Sequence, residues 1–92
     1  MDICCAGALT LDNGLSILVT MDPKGQMLIF GWTKDMPQTT EPLAKCSALS
    51  HPVYLTVYPF GQCKPLAICV SVIDVFNRIA VYFIDLSNVV NV

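Results

Sequence analysis

Residues 66–86, LAICVSVIDVFNRIAVYFIDL, form the most apolar run of the chain, and its nature decides the fold class. A bilayer span needs about 20 apolar residues with few or no charges. The run has that length but carries Asp74, Arg78 and Asp85. An ionic side chain near a helix centre costs about 2.5–3.5 kcal/mol on insertion scales, while each Leu, Ile, Phe or Val returns only about 0.3–0.6. A transmembrane span is therefore disfavoured.

Residue type then separates helix from hairpin. Ile68, Val70, Val72, Ile73, Val75, Ile79, Val81 and Ile84 are β-branched. Such side chains lose rotamer freedom in a helix and pack well on a pleated surface. A two-residue turn at Asn77-Arg78, with Asn77 tolerating positive φ, fixes the pairing by arithmetic. One face then carries Ala67, Cys69, Ser71, Ile73, Val75, Ala80, Tyr82, Ile84 and Leu86, without charge. The other carries Val70, Val72, Asp74, Phe76, Ile79, Val81, Phe83 and Asp85. The uncharged face is expected to be the core, and Asp74 and Asp85 to be solvated.

Upstream, ICCAGALTL, LSILVTM and QMLIFGWT are short apolar runs separated by DNG and DPKG. Pro23 presets φ for a turn and Gly25 accepts a left-handed conformation, as Asn13-Gly14 does one hairpin earlier. Pairing through these turns places Ile3, Cys5, Leu9, Leu11, Leu15, Ile17, Val19, Met21, Leu28, Phe30 and Trp32 on the core face. Leu18, Met27 and Ile29 fall on a reverse face that is small, mixed and uncharged.

Residues 34–52 are polar and Pro-bearing, which reads as a connector with one short helical turn at EPLAKCSAL. VYLTVYPF then alternates Val53, Leu55 and Val57 against Tyr54, Thr56 and Tyr58. The expected fold is all-β: six short antiparallel strands in two three-stranded meanders, near 3–33 and 53–86, forming a small barrel or sandwich. Residues 1–92 make one domain, with a short C-terminal tail after 86.

Composition narrows function. Apolar residues make up 54% and charged residues 13%, with a net charge of −2. So few ionic groups leave more apolar surface than one small core hides, which points to a partner or ligand. Without clustered Lys and Arg, nucleic-acid binding is not expected. The cysteines are Cys4, Cys5, Cys46, Cys63 and Cys69, an odd set with no signal-peptide pattern and no glycosylation sequon. A cytoplasmic or other reducing intracellular compartment fits, with a Cys63–Cys69 pairing left open.

Chemistry-bearing patterns are sparse. Cys46 precedes the single histidine, His51, by five residues; with Asp35 or Glu41 as orienter they would make a small cysteine hydrolase, the weakest of three readings. Cys46-x4-His51 and Cys63-x5-Cys69 lack the C-x2-C knuckle that zinc sites favour, and neighbouring Cys4 and Cys5 point to opposite faces, so no metal or other cofactor is expected. Tyr54, Tyr58 and Phe60 are candidate contact residues, because rigid amphipathic rings bury area at little entropic cost. Leu18, Met27 and Ile29 join them from the uncharged face. The leading expectation is a non-enzymatic interaction module that forms a homodimer and binds a protein partner, suited to a small accessory protein, a viral one acting on host factors included. The alternative is a protein that binds a lipid or other apolar ligand.

Overall fold

A computed structural model describes residues 3–11, 14–34, 41–59 and 67–86. It is all-β, with β1 (Cys5–Thr10), β2 (Ser16–Met21), β3 (Gln26–Trp32), β4 (Ala44–Ser47), β5 (Pro52–Pro59), β6 (Ala67–Asp74) and β7 (Ile79–Asp85). These make two antiparallel sheets, β1-β2-β3-β4 and β5-β6-β7, not closed into a barrel. Inner side chains of both sheets share one buried cluster: Ile17, Val19, Met21, Met27 and Ile29 from the first, Leu55, Ile68, Val70 and Val72 from the second, with Leu15 and Leu86. The shortest dimension, 18 Å, suits two such layers, whose backbones pack about 10 Å apart. At the β1–β5 crossing the approach is closest, where a Cβ on Gly7 would lie 2.7 Å from Leu55 Cδ2.

One turn geometry recurs. Asp22 N–H donates to the Gln26 carbonyl (3.2 Å) and Gly25 N–H to the Asp22 carbonyl (3.0 Å). Asp74 N–H donates to Arg78 (3.1 Å) and Asn77 N–H to Asp74 (3.0 Å), while Leu11, Gly14 and Leu15 repeat the pattern. The fourth residue is left-handed each time: Gly14 at φ 88°, Gly25 at 90° and Asn77 at 62°. In two turns the leading carboxylate adds a lock. Asp22 Oδ1 accepts from Lys24 N–H (3.0 Å) and Gln26 N–H (2.9 Å), and Asp74 Oδ1 accepts from Phe76 and Arg78 N–H (both 2.9 Å). Such a local bond lets Asp set the turn by bonding its own backbone two and four residues on.

These loops hold an odd number of residues, and that corrects two expectations. Ile73 pairs with Ile79 and Val72 with Ala80, so the last hairpin does not turn on Asn77-Arg78 alone. A shift in pairing by an odd number of residues, three in this hairpin, sends every side chain of a strand to the other face. Hence Ile68, Val70, Val72 and Asp74 face inward, not Ala67, Cys69, Ser71 and Ile73, whereas β7 keeps Ala80, Tyr82 and Ile84 inward as expected. Met21 likewise pairs with Met27 and Val19 with Ile29. Met27 and Ile29 are therefore core, and Phe30 and Trp32 lie half-buried on the outer face.

The expected helical turn in the connector is instead a strand, β4, in addition to the six expected. Ala44 and Cys46 alternate with Lys45 and Ser47, and β4 pairs with the edge of β3 from Ile29–Ala44 to Gln26–Ser47. Lys45 and the preceding Pro42 blunt this new edge. Beyond it, His51 takes a left-handed φ of 53°. Its N–H donates to the Pro23 carbonyl (2.8 Å) and its carbonyl accepts from Val75 N–H (3.1 Å). One backbone unit thus joins the β2–β3 turn to the β6–β7 turn. Leu49 N–H adds a second tie between the sheets by donating to Tyr82 Oη (3.0 Å).

Gly25 is constrained twice, because a Cβ there would also lie 2.6 Å from the Ala48 carbonyl oxygen, while one on Gly14 meets nothing within 4 Å. Gly14→Ala should therefore cost only the left-handed backbone penalty, about 1–2 kcal/mol. Gly25→Ala should cost a further ~1–3 kcal/mol for the steric conflict. Urea midpoints of the two variants test this; equal midpoints would contradict it.

Candidate functional site

The slipped register assembles one largely exposed surface among the described residues, interrupted by the buried Cys69. Across β5, β6 and β7 three rows lie on the outer face: Tyr54–Ile73–Ile79, Thr56–Ser71–Val81 and Tyr58–Cys69–Phe83. None of these side chains is ionic. Tyr54 is 57% exposed, Tyr58 41%, Ile79 69%, Val81 46% and Phe83 64%. The turn beside them carries Phe76, 71% exposed and the most exposed large apolar side chain among the described residues. Near the middle, the Tyr58 and Ser71 hydroxyls bond each other at 2.8 Å. Covering the face would therefore not strand these two polar atoms, which is the costly outcome when buried groups lose their partners.

Asp74 holds one end of this face in place from beneath. It is fully buried, and beyond its two backbone bonds it meets Arg78 Nε at 2.6 Å, while the Arg78 side chain stays 59% exposed. Arg78 also lies 5.4 Å from the centre of the Phe76 ring. Burial disfavours the Asp74 charge. Hydrogen bonds from the Arg78 backbone, the Arg78 guanidinium and the Phe76 backbone, with the guanidinium charge, outweigh that and hold its pKa below the usual carboxylate value. Asp74 is thus not the solvated face residue expected from the sequence. Asp85, expected on the same face at the other end of the hairpin, is exposed on the outer face at the far end of β7.

The candidate residues named from the sequence separate accordingly. Tyr54 and Tyr58 point outward as expected, on the alternation of β5. Leu18 is half-buried on the outer face of the other sheet. Met27 and Ile29, expected on an outer face, are instead fully buried in the core. Phe60 lies outside the described residues. Ile79, Val81 and Phe83 complete the face; the sequence placed them on the less apolar side of their hairpin, beside two carboxylates, and so gave no reason to choose them.

The two candidate residues of a thiol–imidazole pair have separate surroundings. Cys46 directs its S–H at Met27 Sδ, 3.6 Å away, and burial pushes its pKa up. A reactive thiolate needs the opposite shift. His51 contributes its backbone, and its residue is exposed. Among the described residues there is no helix, hence none long and apolar enough to cross a membrane. Comparison with known proteins finds no match: no protein-family model fits the chain, and no curated protein or solved structure is similar to it.

Strong acid should release the Asp74 lock. A depressed folded-state pKa contributes stability that is complete above the unfolded value near ~3.9 and is lost as pH falls through the lower folded value. Asp74→Asn should be less stable than the parent at pH 7, and the difference should shrink as pH falls below about 4. Urea melts from pH 7 to pH 2.5 check this; a gap that stays constant across the series would refute the assignment.

Proposed function

We propose that this chain is a non-enzymatic interaction module, and that a second copy of itself occupies the outer face of β5-β6-β7. The uncharged three-by-three surface carries the reading. With about 200 Å² for a whole aromatic side chain, the exposed fractions of Tyr54, Tyr58, Phe76 and Phe83 leave roughly 450 Å² of ring in water. That alone reaches the ~300–600 Å² of the largest patch on an ordinary monomer. Two copies bring about twice that area together, and Ile79 and Val81 carry the total past the ~1,000 Å² that a specific interface requires.

Charge placement favours a copy over an unrelated protein. Among the described residues, ionic groups flank the face at Arg78, before β7, and at Asp85, at its end. A two-fold interface uses the same patch on both subunits, so antiparallel stacking sets each Arg78 end against the Asp85 end of its partner. The dimer is then the unit that meets further proteins. Its free thiols, Cys4, Cys5, Cys46 and Cys69, suit a reducing compartment.

Sedimentation velocity across a concentration series tests the reading. The parent chain should run as a dimer at micromolar concentration, and Ile79→Lys or Val81→Lys should weaken association at least tenfold. Ala8→Lys, on the outer face of the other sheet, should leave it unchanged. A parent monomer at every concentration would overturn the proposal, and an acyl chain retained in native mass spectra of that monomer would favour the apolar-ligand reading.

A further inference from the structure

The registers of the four-stranded sheet place sulfur beside sulfur along a single row. Cys5 pairs with Met21, Met21 with Met27, and Met27 with Cys46. All four belong to the inner face: Met21 and Met27 are fully buried, and Cys5 and Cys46 pack against the core while only partly covered. The chain has four methionines and five cysteines, and two of each fall in this row. Directly opposed side chains have Cβ atoms about 4.5–5.5 Å apart, and the unbranched Met side chain adjusts readily to bring its sulfur to a neighbour. Cys46 Sγ and Met27 Sδ are already 3.6 Å apart.

We propose that this row binds one Cu(I) ion, with Cys46 Sγ and Met27 Sδ as its first ligands and Met21 and Cys5 extending the site along the row. At the ~2.3 Å metal–sulfur distance of thiolate sites, an ion shared by sulfurs 3.6 Å apart subtends about 100°, close to tetrahedral. Thiolate and thioether are the soft ligands that select Cu(I) over zinc or harder ions. Among the described residues no group of three or more His, Cys, Asp and Glu is placed to hold a metal, so no harder site competes. Binding exchanges the Cys46 thiol proton, released to water, for the metal and leaves the copper oxidation state unchanged. Affinity should therefore rise with pH.

The probe is Cu(I) supplied as its acetonitrile complex without oxygen, competed with bathocuproine disulfonate. The full chain should retain one equivalent with near-ultraviolet copper–thiolate absorption. Cys46→Ser and Met27→Leu should each weaken retention at least tenfold, and Cys4→Ser and Cys69→Ser should not. Met27→Leu conserves volume, so it decides the matter even where Cys46→Ser fails to fold. No retention, or retention equal in Met27→Leu and the parent, would overturn the site and leave the row as core packing.

Discussion

A carboxylate oxygen that accepts two main-chain N–H groups decides which way this protein faces. Asp22 does so at the β2–β3 turn and Asp74 at the β6–β7 turn. Each holds a loop with an odd number of residues, closed by a left-handed Gly25 or Asn77. Because side chains alternate along a strand, loop parity sets which half of the following strand is wet. With this parity Met27 and Ile29 enter the core, Asp74 goes under the sheet, and Ile79, Val81 and Phe83 come out. An even loop, with β2 and β7 kept in phase, would instead turn Met27, Ile29 and Asp74 outward.

The two locked turns are also where the sheets are tied. His51 accepts from the backbone of one and donates to the other, and its strained φ is held by that double bond. Leu49 and Tyr82 repeat the tie across the core. Such links matter in a chain of this size, where a small core supplies little surplus stability. His51 thus has a mechanical explanation that needs no chemistry from its side chain.

Much of the architecture was legible beforehand. The Val- and Ile-rich runs marked strands, and Asp-Pro-Lys-Gly and Asn13-Gly14 marked turns. The alternation of β5 placed Tyr54 and Tyr58 outward. What remained hidden has two causes. Asn77-Arg78 looks like a two-residue turn, but the Asp74 side chain, bonding N–H groups two and four residues on, sets a three-residue loop that pairs Ile73 with Ile79 in place of Tyr82. β4 is too short and mixed to read as a strand; it exists because β3 offers an unpaired edge to Ala44–Ser47. The face was half visible for the same reason: its Tyr side came from β5, whose phase needs no turn, while its β7 side was obscured by the expectation that Asp74 and Asp85 share its face.

An outer face assembled this way is a by-product of register and a candidate for selection at once. The chain spends its few charges on bends, connector and strand ends, and keeps none within the three rows of β5-β6-β7. Everything said of partners depends on that register. Nuclear Overhauser contacts across the final hairpin measure it directly. The account predicts backbone proton contacts between Ile73 and Ile79 and between Ser71 and Val81. Contacts of Ile73 with Tyr82 and of Ser71 with Ile84 would instead return Asp74 to the surface and dissolve the uncharged face.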